Sequence, residues 1–252
     1  MQRVANRFWG HPWGTPLGDT LAGHSRQGAM SAPFRKLCGM PRTARIVVPG
    51  VPHHITQRGN RRMRTFMCEE DFARYRTVMS ESCARSGVEI WAYCLMPNHA
   101  HMIAVPESEA ALRCAIGDAH QKYTREINKR ERWRGHLWQG RFASYPMDDA
   151  HTLSAARYIE LNPVRAGLVS SAAEYEWSSA RAHLFGQDDE LVVVAPLLAR
   201  RRDWARFVNE TIDANMLDAL RRHIASGMPL GDEVFLREIE RRVGSIIPAR
   251  AA

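Results

Sequence analysis

Two apolar runs, residues 88–96 and 99–105, are separated by only Pro97 and Asn98, and no other spacing in the chain restricts its fold as much. Runs of this length bounded by turn residues read as strands, and so short a connection joins antiparallel neighbours. The second run contains His99-Ala100-His101. Side chains alternate faces along a strand, so both imidazoles project from one side, about 7 Å apart, with Ala100 on the other. Such a pair can converge on one divalent ion, although a lone His-x-His on a strand is more often two partly exposed histidines.

The neighbouring segments supply the rest of a sheet. Residues 44–48, a turn at Pro49-Gly50 and residues 51–56 read as a strand with a proline-tolerant, edge-like start. It runs into Gln57-Arg58-Gly59-Asn60-Arg61-Arg62, a polar loop with Gly-Asn turn chemistry. Glu69-Glu70-Asp71 suits a helix first turn, and Phe72, Tyr75, Val78 and Met79 at helical spacing predict a helix over about 70–86, stopped at Ser86-Gly87. After Pro106, Ser108 is placed to cap a long helix with the apolar stripe Leu112, Ile116, Ala119, Tyr123 and Ile127. Lys122, Arg125, Lys129 and Arg130 make its other face basic. A loop with Trp138 and Arg141 leads to a short strand through Tyr145. A helix from Asp148 or Asp149 then carries Tyr158 and ends near Asn162, because Pro163 disfavours helix in the residue before it.

This order predicts an α+β chain: a ferredoxin-like β-α-β-β-α-β core with one further helix and a small C-terminal helical module. Residues 1–40 show no sustained period and read as disordered or as an extension outside the fold, so that a start at Met40 costs the fold nothing. The main domain is expected over 41–186 and a linker over 187–203, broken by Asp188-Asp189-Glu190. A separate helical module is expected over 204–252, where two helices around a Gly-Pro turn read as a helix-turn-helix or as a plain packing hairpin.

A net charge of +8 over 252 residues suits a polyanionic partner. Cys38, Cys68, Cys83, Cys94 and Cys114 are odd in number and lack metal or disulfide spacing, which points to a reducing cytoplasm. No run approaches the length of a membrane helix and no signal-peptide core is present, so no membrane role is expected.

Tyr158 and Asn162 lie four apart and share one helix face. If that face meets the histidine strand, two imidazoles, an amide oxygen and a phenol come together. Two imidazoles and an amide oxygen leave positions on an octahedral ion for water and a phosphodiester oxygen, while a tyrosine hydroxyl can attack phosphorus in line. The product is a 5′-phosphotyrosine bond, whose retained energy allows rejoining without ATP. Tyr158 also reads as an ordinary interface tyrosine, and Asn162 as a simple helix end. Tyr123 belongs to a core stripe, whereas Tyr145, before Pro146, stays open as a competing nucleophile.

Four segments occur in one order: Gly50-Val51-Pro52-His53-His54-Ile55-Thr56-Gln57-Arg58-Gly59-Asn60, Met96-Pro97-Asn98-His99-Ala100-His101, Gly135-His136-Leu137-Trp138-Gln139-Gly140-Arg141-Phe142, and Arg157-Tyr158-Ile159-Glu160-Leu161-Asn162-Pro163-Val164-Arg165-Ala166-Gly167-Leu168-Val169. With them, roughly residues 40–186 resemble the REP-associated tyrosine transposases of the single-tyrosine HUH (IS200-like) family. The resemblance implies a ferredoxin-like fold with His99 and His101 as metal ligands, Asn162 as third ligand and Tyr158 as nucleophile. It also implies Mg²⁺ or Mn²⁺ as cofactor and hairpin-bearing single-stranded DNA as substrate, cleaved and joined by a monomer or homodimer. Arg58, Arg61, Arg62, Lys122, Arg125, Lys129 and Arg141 are the candidate phosphate contacts, and Trp138 a candidate stacking platform for an unpaired base. Two alternatives keep the same fold: a domesticated DNA- or RNA-binding protein without catalysis, and a replication-initiation nickase. The segment from 204 onward resembles C-terminal extensions in one branch of these proteins.

Overall fold

The computed structural model describes residues 45–211 and 213–244, and the extension expected over 1–40 lies outside them. Strand β1 (His53–Arg58) starts later than its apolar pattern suggests. Pro52 has no N–H to offer a ladder, and the Val48 N–H donates to the His53 ring at 3.2 Å instead of to a strand, so residues 45–48 stay irregular. Helix α1 (Glu69–Ser86) has an acidic first turn, with Asp71 closing a capping box on Cys68, and ends at Gly87 in the left-handed conformation. Strands β2 (Val88–Met96) and β3 (His99–Pro106) form the expected hairpin, with Met96 opposite His99. Helix α2 (Ala111–Glu131) begins after Ala110 without a side-chain cap, so Ser108 does not play that part. Strand β4 (Ala143–Pro146) leads into α3 (Asp149–Glu160), capped by Asp148, whose carboxylate accepts the His151 N–H.

The sheet order is β2-β3-β1-β4 and every pairing is antiparallel. That is the ferredoxin-like arrangement expected from the element order. Alternation along β3 decides what each face holds. Ala100, Met102 and Ala104 turn toward α1 and α2, where Tyr75, Leu112, Ile116, Tyr123 and Trp138 complete a closed apolar core. Ile103, with Ala92, Cys94 and Tyr145, turns toward α3. His99 and His101 therefore share the α3 side with Ile103.

Short helices complete the second face: α4 (Asn162–Arg165), α5 (Ala180–Phe185), α6 (Ala195–Arg200), α7 (Trp204–Asn209), α8 (Ala214–Ser226) and α9 (Glu233–Val243). The 187–203 stretch is not a free linker. Asp189 accepts the Leu191 and Val192 N–H groups (2.7 Å each) and the Tyr93 hydroxyl (2.6 Å). Nor is the segment from 204 separate. Trp204, Phe207 and Leu220 enter the core beneath α3, and Leu230 pairs with Met147. The described residues form one compact unit because burying those apolar side chains needs the sheet as partner. Among the described residues no helix is long and apolar enough to cross a membrane.

Candidate active site

The start of β3 brings His99 and His101 together with ring centroids 5.1 Å apart. His99 lies opposite Arg58 in the β1 register. The Asn98 Nδ2 donates to the Arg62 carbonyl (3.1 Å), which fixes its amide so that Oδ1 faces the His99 Nδ1 at 2.6 Å. An amide oxygen can only accept, so His99 carries its proton on Nδ1 and keeps a lone pair on Nε2. His101 Nδ1 lies 3.1 Å from the His54 Nε2, leaving the His101 Nε2 uncommitted as well. Burial, with the Arg58 and Arg165 charges, pushes His99 down to about 4. Burial also holds His101 well below the ordinary imidazole value, helped by neighbouring His99, His54 and both arginines. Both rings are thus neutral near pH 7, the form that can ligate a metal.

Helix α3 presents Tyr158 to this pair. Its ring centroid is 5.8 Å from that of His101 and 6.3 Å from that of His54, and the residue is 8% exposed. The Arg165 guanidinium lies 3.9 Å from the Tyr158 ring centroid and donates to the Tyr158 carbonyl (2.9 Å). A buried carboxylate anchors the same helix. Glu160 accepts from the Ser179 hydroxyl (2.7 Å), the His183 Nδ1 (2.6 Å) and the Trp204 Nε1 (2.8 Å), tying α3 to α5 and α7.

Asn162 stands on α4, just past the Leu161 cap of α3, and Pro163 follows in the first turn of α4, where a missing N–H costs nothing. Its Oδ1 accepts from Arg165 at 3.4 Å, and its buried Nδ2 has no hydrogen-bond partner among the described residues. Neither atom is hydrogen-bonded to His99 or His101. Among the described residues no three His, Cys, Asp or Glu side chains converge as a metal cage. His54 is not a third imidazole ligand, because its Nε2 is spent on His101. Two neutral imidazoles with uncommitted Nε2 atoms fit a divalent ion that retains water, and Asn162 can join them only through Oδ1, which Arg165 holds at 3.4 Å, because its unpartnered Nδ2 is a donor.

The basic residues divide by layer. Arg58 ends β1 and Arg61 and Arg62 follow it beside the β2–β3 turn, joined to it by the Gly59 N–H, which donates to the Asn98 carbonyl (2.8 Å). The loop does not turn on Gly59. Arg61 and Arg62 take the left-handed conformation (φ 51° and 62°), while Gly59 (φ −61°) is needed for space: a Cβ there would stand 2.2 Å from the Met63 carbonyl oxygen. Arg141 joins the same end of the sheet, since the Gln139 N–H donates to the Arg58 carbonyl (2.8 Å). Lys122, Arg125 and Lys129 lie on α2, across the sheet from the histidines, and Lys122 is paired with Glu81 (2.7 Å). Trp138 is a core residue, not a stacking platform. It is 7% exposed and packed among Phe66, Tyr75, His120 and Tyr123, so a base could reach it only by opening the core. The Tyr123 hydroxyl donates to the Thr65 carbonyl (2.8 Å) on that same face, away from the histidines.

Sequence reasoning gave Arg165 and His54 no role of their own and weighed Tyr145 only as a competing nucleophile. Arg165 lies seven residues after Tyr158, two helical turns, and that spacing was a usable signal. A cavity of about 440 Å³, lined by Arg200, Arg201, Arg202 and Arg206 together with Asp203, Phe207 and Glu210, lies beyond α6.

Residues 48–162 match the family model of the IS200-like transposases. Among solved structures, the chain is similar to a REP-associated tyrosine transposase bound to a REP hairpin, at 20% identity and a TM-score of 0.51, covering 61% of this chain and 92% of that one. A candidate transposase from Deinococcus radiodurans aligns at 17% identity and a TM-score of 0.34, over 47% of this chain and 95% of that one. No curated protein matches the sequence.

Proposed function

We propose, from the match of residues 48–162 to the IS200-like transposase family model, that the protein cuts and rejoins hairpin-bearing single-stranded DNA through a covalent link to Tyr158. The observation that carries this reading is convergence: the Tyr158 ring, the Arg165 guanidinium and two imidazoles with uncommitted Nε2 atoms meet on one face of the sheet. In the forward step the Tyr158 Oη forms a bond to phosphorus while the bond from phosphorus to the 3′ oxygen breaks. The tyrosine loses its proton and the released 3′ oxygen gains one. The DNA 5′ phosphate stays on the protein, and the reverse step with another 3′ hydroxyl joins strands.

His99, His101 and Asn162 would hold Mg²⁺ or Mn²⁺. When bound, such an ion supplies Lewis-acid charge to the phosphodiester. Arg165 meets the anionic oxygens of the phosphodiester beside the tyrosine, and closure of the face by α3 and α8 limits water. Arg58, Arg61, Arg62 and Arg141 take phosphates flanking the scissile position. Lys122, Arg125 and Lys129 contribute only if the DNA wraps past the sheet edge.

The test incubates the purified protein with labelled hairpin-bearing single-stranded DNA and Mg²⁺ or Mn²⁺. A metal-dependent covalent adduct is expected, lost in Tyr158→Phe. Binding of the hairpin without any cleavage would instead support a DNA-binding protein that has kept only the fold.

A further inference from the structure

Behind His101 a line of buried polar groups runs along the α3 face of the sheet to the C-terminal segment. His101 Nδ1 is 3.1 Å from the His54 Nε2, and His54 Nδ1 is 2.7 Å from the Tyr145 Oη. The Tyr145 hydroxyl donates to the Leu220 carbonyl in α8 at 3.4 Å. His54 and Tyr145 are fully buried, so neither can exchange its partner for water.

A neutral imidazole has one donor and one acceptor nitrogen, which leaves two self-consistent proton arrangements. In the first, the His101 Nδ1–H donates to His54 Nε2, the His54 Nδ1–H donates to Tyr145 Oη, and the Tyr145 O–H donates to the Leu220 carbonyl. Every proton then has an acceptor, and His101 keeps its Nε2 lone pair on the side of His99 and Tyr158. In the second, every bond between the rings is reversed. Tyr145 donates to His54, His54 donates to His101 Nδ1, and His101 must carry its own proton on Nε2. The Leu220 carbonyl then loses its donor from Tyr145. A carbonyl can only accept, so its presence at the end of the line favours the first arrangement.

We propose that His54 and Tyr145 are positioning residues that, with the Leu220 carbonyl, hold His101 as its Nδ1–H tautomer and so couple helix α8 to the ion-holding face. The proposal rests on the reading of His99 and His101 as ligands. Asn98 does the same for His99, so each proposed ligand has its tautomer set by a hydrogen-bond partner at Nδ1. Partners of this kind commonly change metal affinity 10–100-fold when removed. The arrangement also gives the C-terminal segment a role that its distance in sequence conceals: α8 supplies the acceptor that orders the line.

Two measurements on the full chain test this. Long-range ¹H–¹⁵N NMR of the histidine rings in metal-free protein should show His101 and His54 as Nδ1–H tautomers. In Tyr145→Phe, the buried His54 loses its acceptor at Nδ1 and its proton moves to Nε2, which shifts His101 to the Nε2–H form. Mn²⁺ titration followed by electron paramagnetic resonance should show affinity reduced about 10-fold or more in Tyr145→Phe. It should be unchanged in Tyr123→Phe, which removes a different buried hydroxyl and controls for general loosening. His54→Gln, read by the same titration, serves if Tyr145→Phe does not fold. Wild-type His101 found as the Nε2–H tautomer, or unchanged Mn²⁺ affinity in a folded Tyr145→Phe, overturns the proposal. Correct tautomers with no Mn²⁺ binding by the wild type would uphold the line of hydrogen bonds and refute the ligand reading beneath it.

Discussion

His120, on the α1–α2 face of the sheet, and His101, on the α3 face, are both buried, and burial lowers the proton affinity of both. Their surroundings differ. Among the described residues the His120 ring has one hydrogen-bond partner, the Tyr75 hydroxyl at 2.9 Å, with Trp138 packed at 4.7 Å between centroids. His101 has His99 at 5.1 Å, His54 at 5.3 Å and Tyr158 at 5.8 Å between centroids, with the Arg165 charge close enough to depress it further. Depressed proton affinity is common to a core histidine and a site histidine. Convergence of several reactive groups around an uncommitted nitrogen is what separates them.

The sharpest way to break this contrast is to remove one histidine from each face. His99→Ala should lower DNA cleavage by about 10³-fold, on the order of 4 kcal/mol in the barrier, and barely move the melting temperature. His120→Ala should do the opposite, costing about 2–3 kcal/mol in urea unfolding while activity per folded molecule is retained. Equal losses of activity from both substitutions would dissolve the distinction between the faces.

A weaker effect tests what the faces share. Burial pushes His53 down to about 4 and His54 and His120 down to about 3. In the unfolded chain each takes a proton near 6.5, while the folded state refuses it. Stability contributed this way is therefore complete above about pH 6.5 and is lost as pH falls toward 4, with a slope approaching ~1.4 kcal/mol per pH unit for each histidine. Urea midpoints at pH 7.5 and 5 should drop accordingly, and His120→Gln should flatten the slope. Midpoints that do not move between those values would contradict neutral burial on either face.

The smallest expected effects concern the charged surface. Arg58→Ala, beside His99, should weaken hairpin DNA binding several-fold and reduce its salt dependence by about one phosphate contact. Lys122→Ala, already paired with Glu81 on the far layer, should change binding less than twofold in the same filter-binding titration.

Much of this molecule was legible in its sequence because the signals were local. The hairpin at Pro97-Asn98, the alternation that puts His99 and His101 on one face, and the helical stripe of α2 all follow from neighbouring residues. The misreadings have one physical cause: tertiary partners override local pattern. Residues 45–48 have strand-like side chains, yet the Val48 N–H is taken by His53. Trp138 sits in a polar, glycine-flanked segment and reads as a candidate stacking platform or as a core aromatic, and the structure packs it against α1 and α2. The helices of 180–209 are six residues each, too short to show a period, and they exist because Glu160, Trp204 and Phe207 hold them against the sheet. Within the site, the nucleophile and ion-holding candidates could be named from motifs. The pairing of His54 with Tyr145 could not, since it spans 91 positions and depends on the β1–β4 register that sets these residues side by side.

Tyr145 is also the residue against which the central assignment is best measured. It lies as close to His54 as any tyrosine in the described structure, but its hydroxyl is committed in a buried line, whereas Tyr158 faces the converging groups. Trypsin separates the two, because Arg157 divides residues 142–157 from residues 158–165. Mass spectrometry of the digested covalent adduct should find the nucleotide on the 158–165 peptide, bonded through Tyr158. A nucleotide on the 142–157 peptide, attached to Tyr145, would contradict the account.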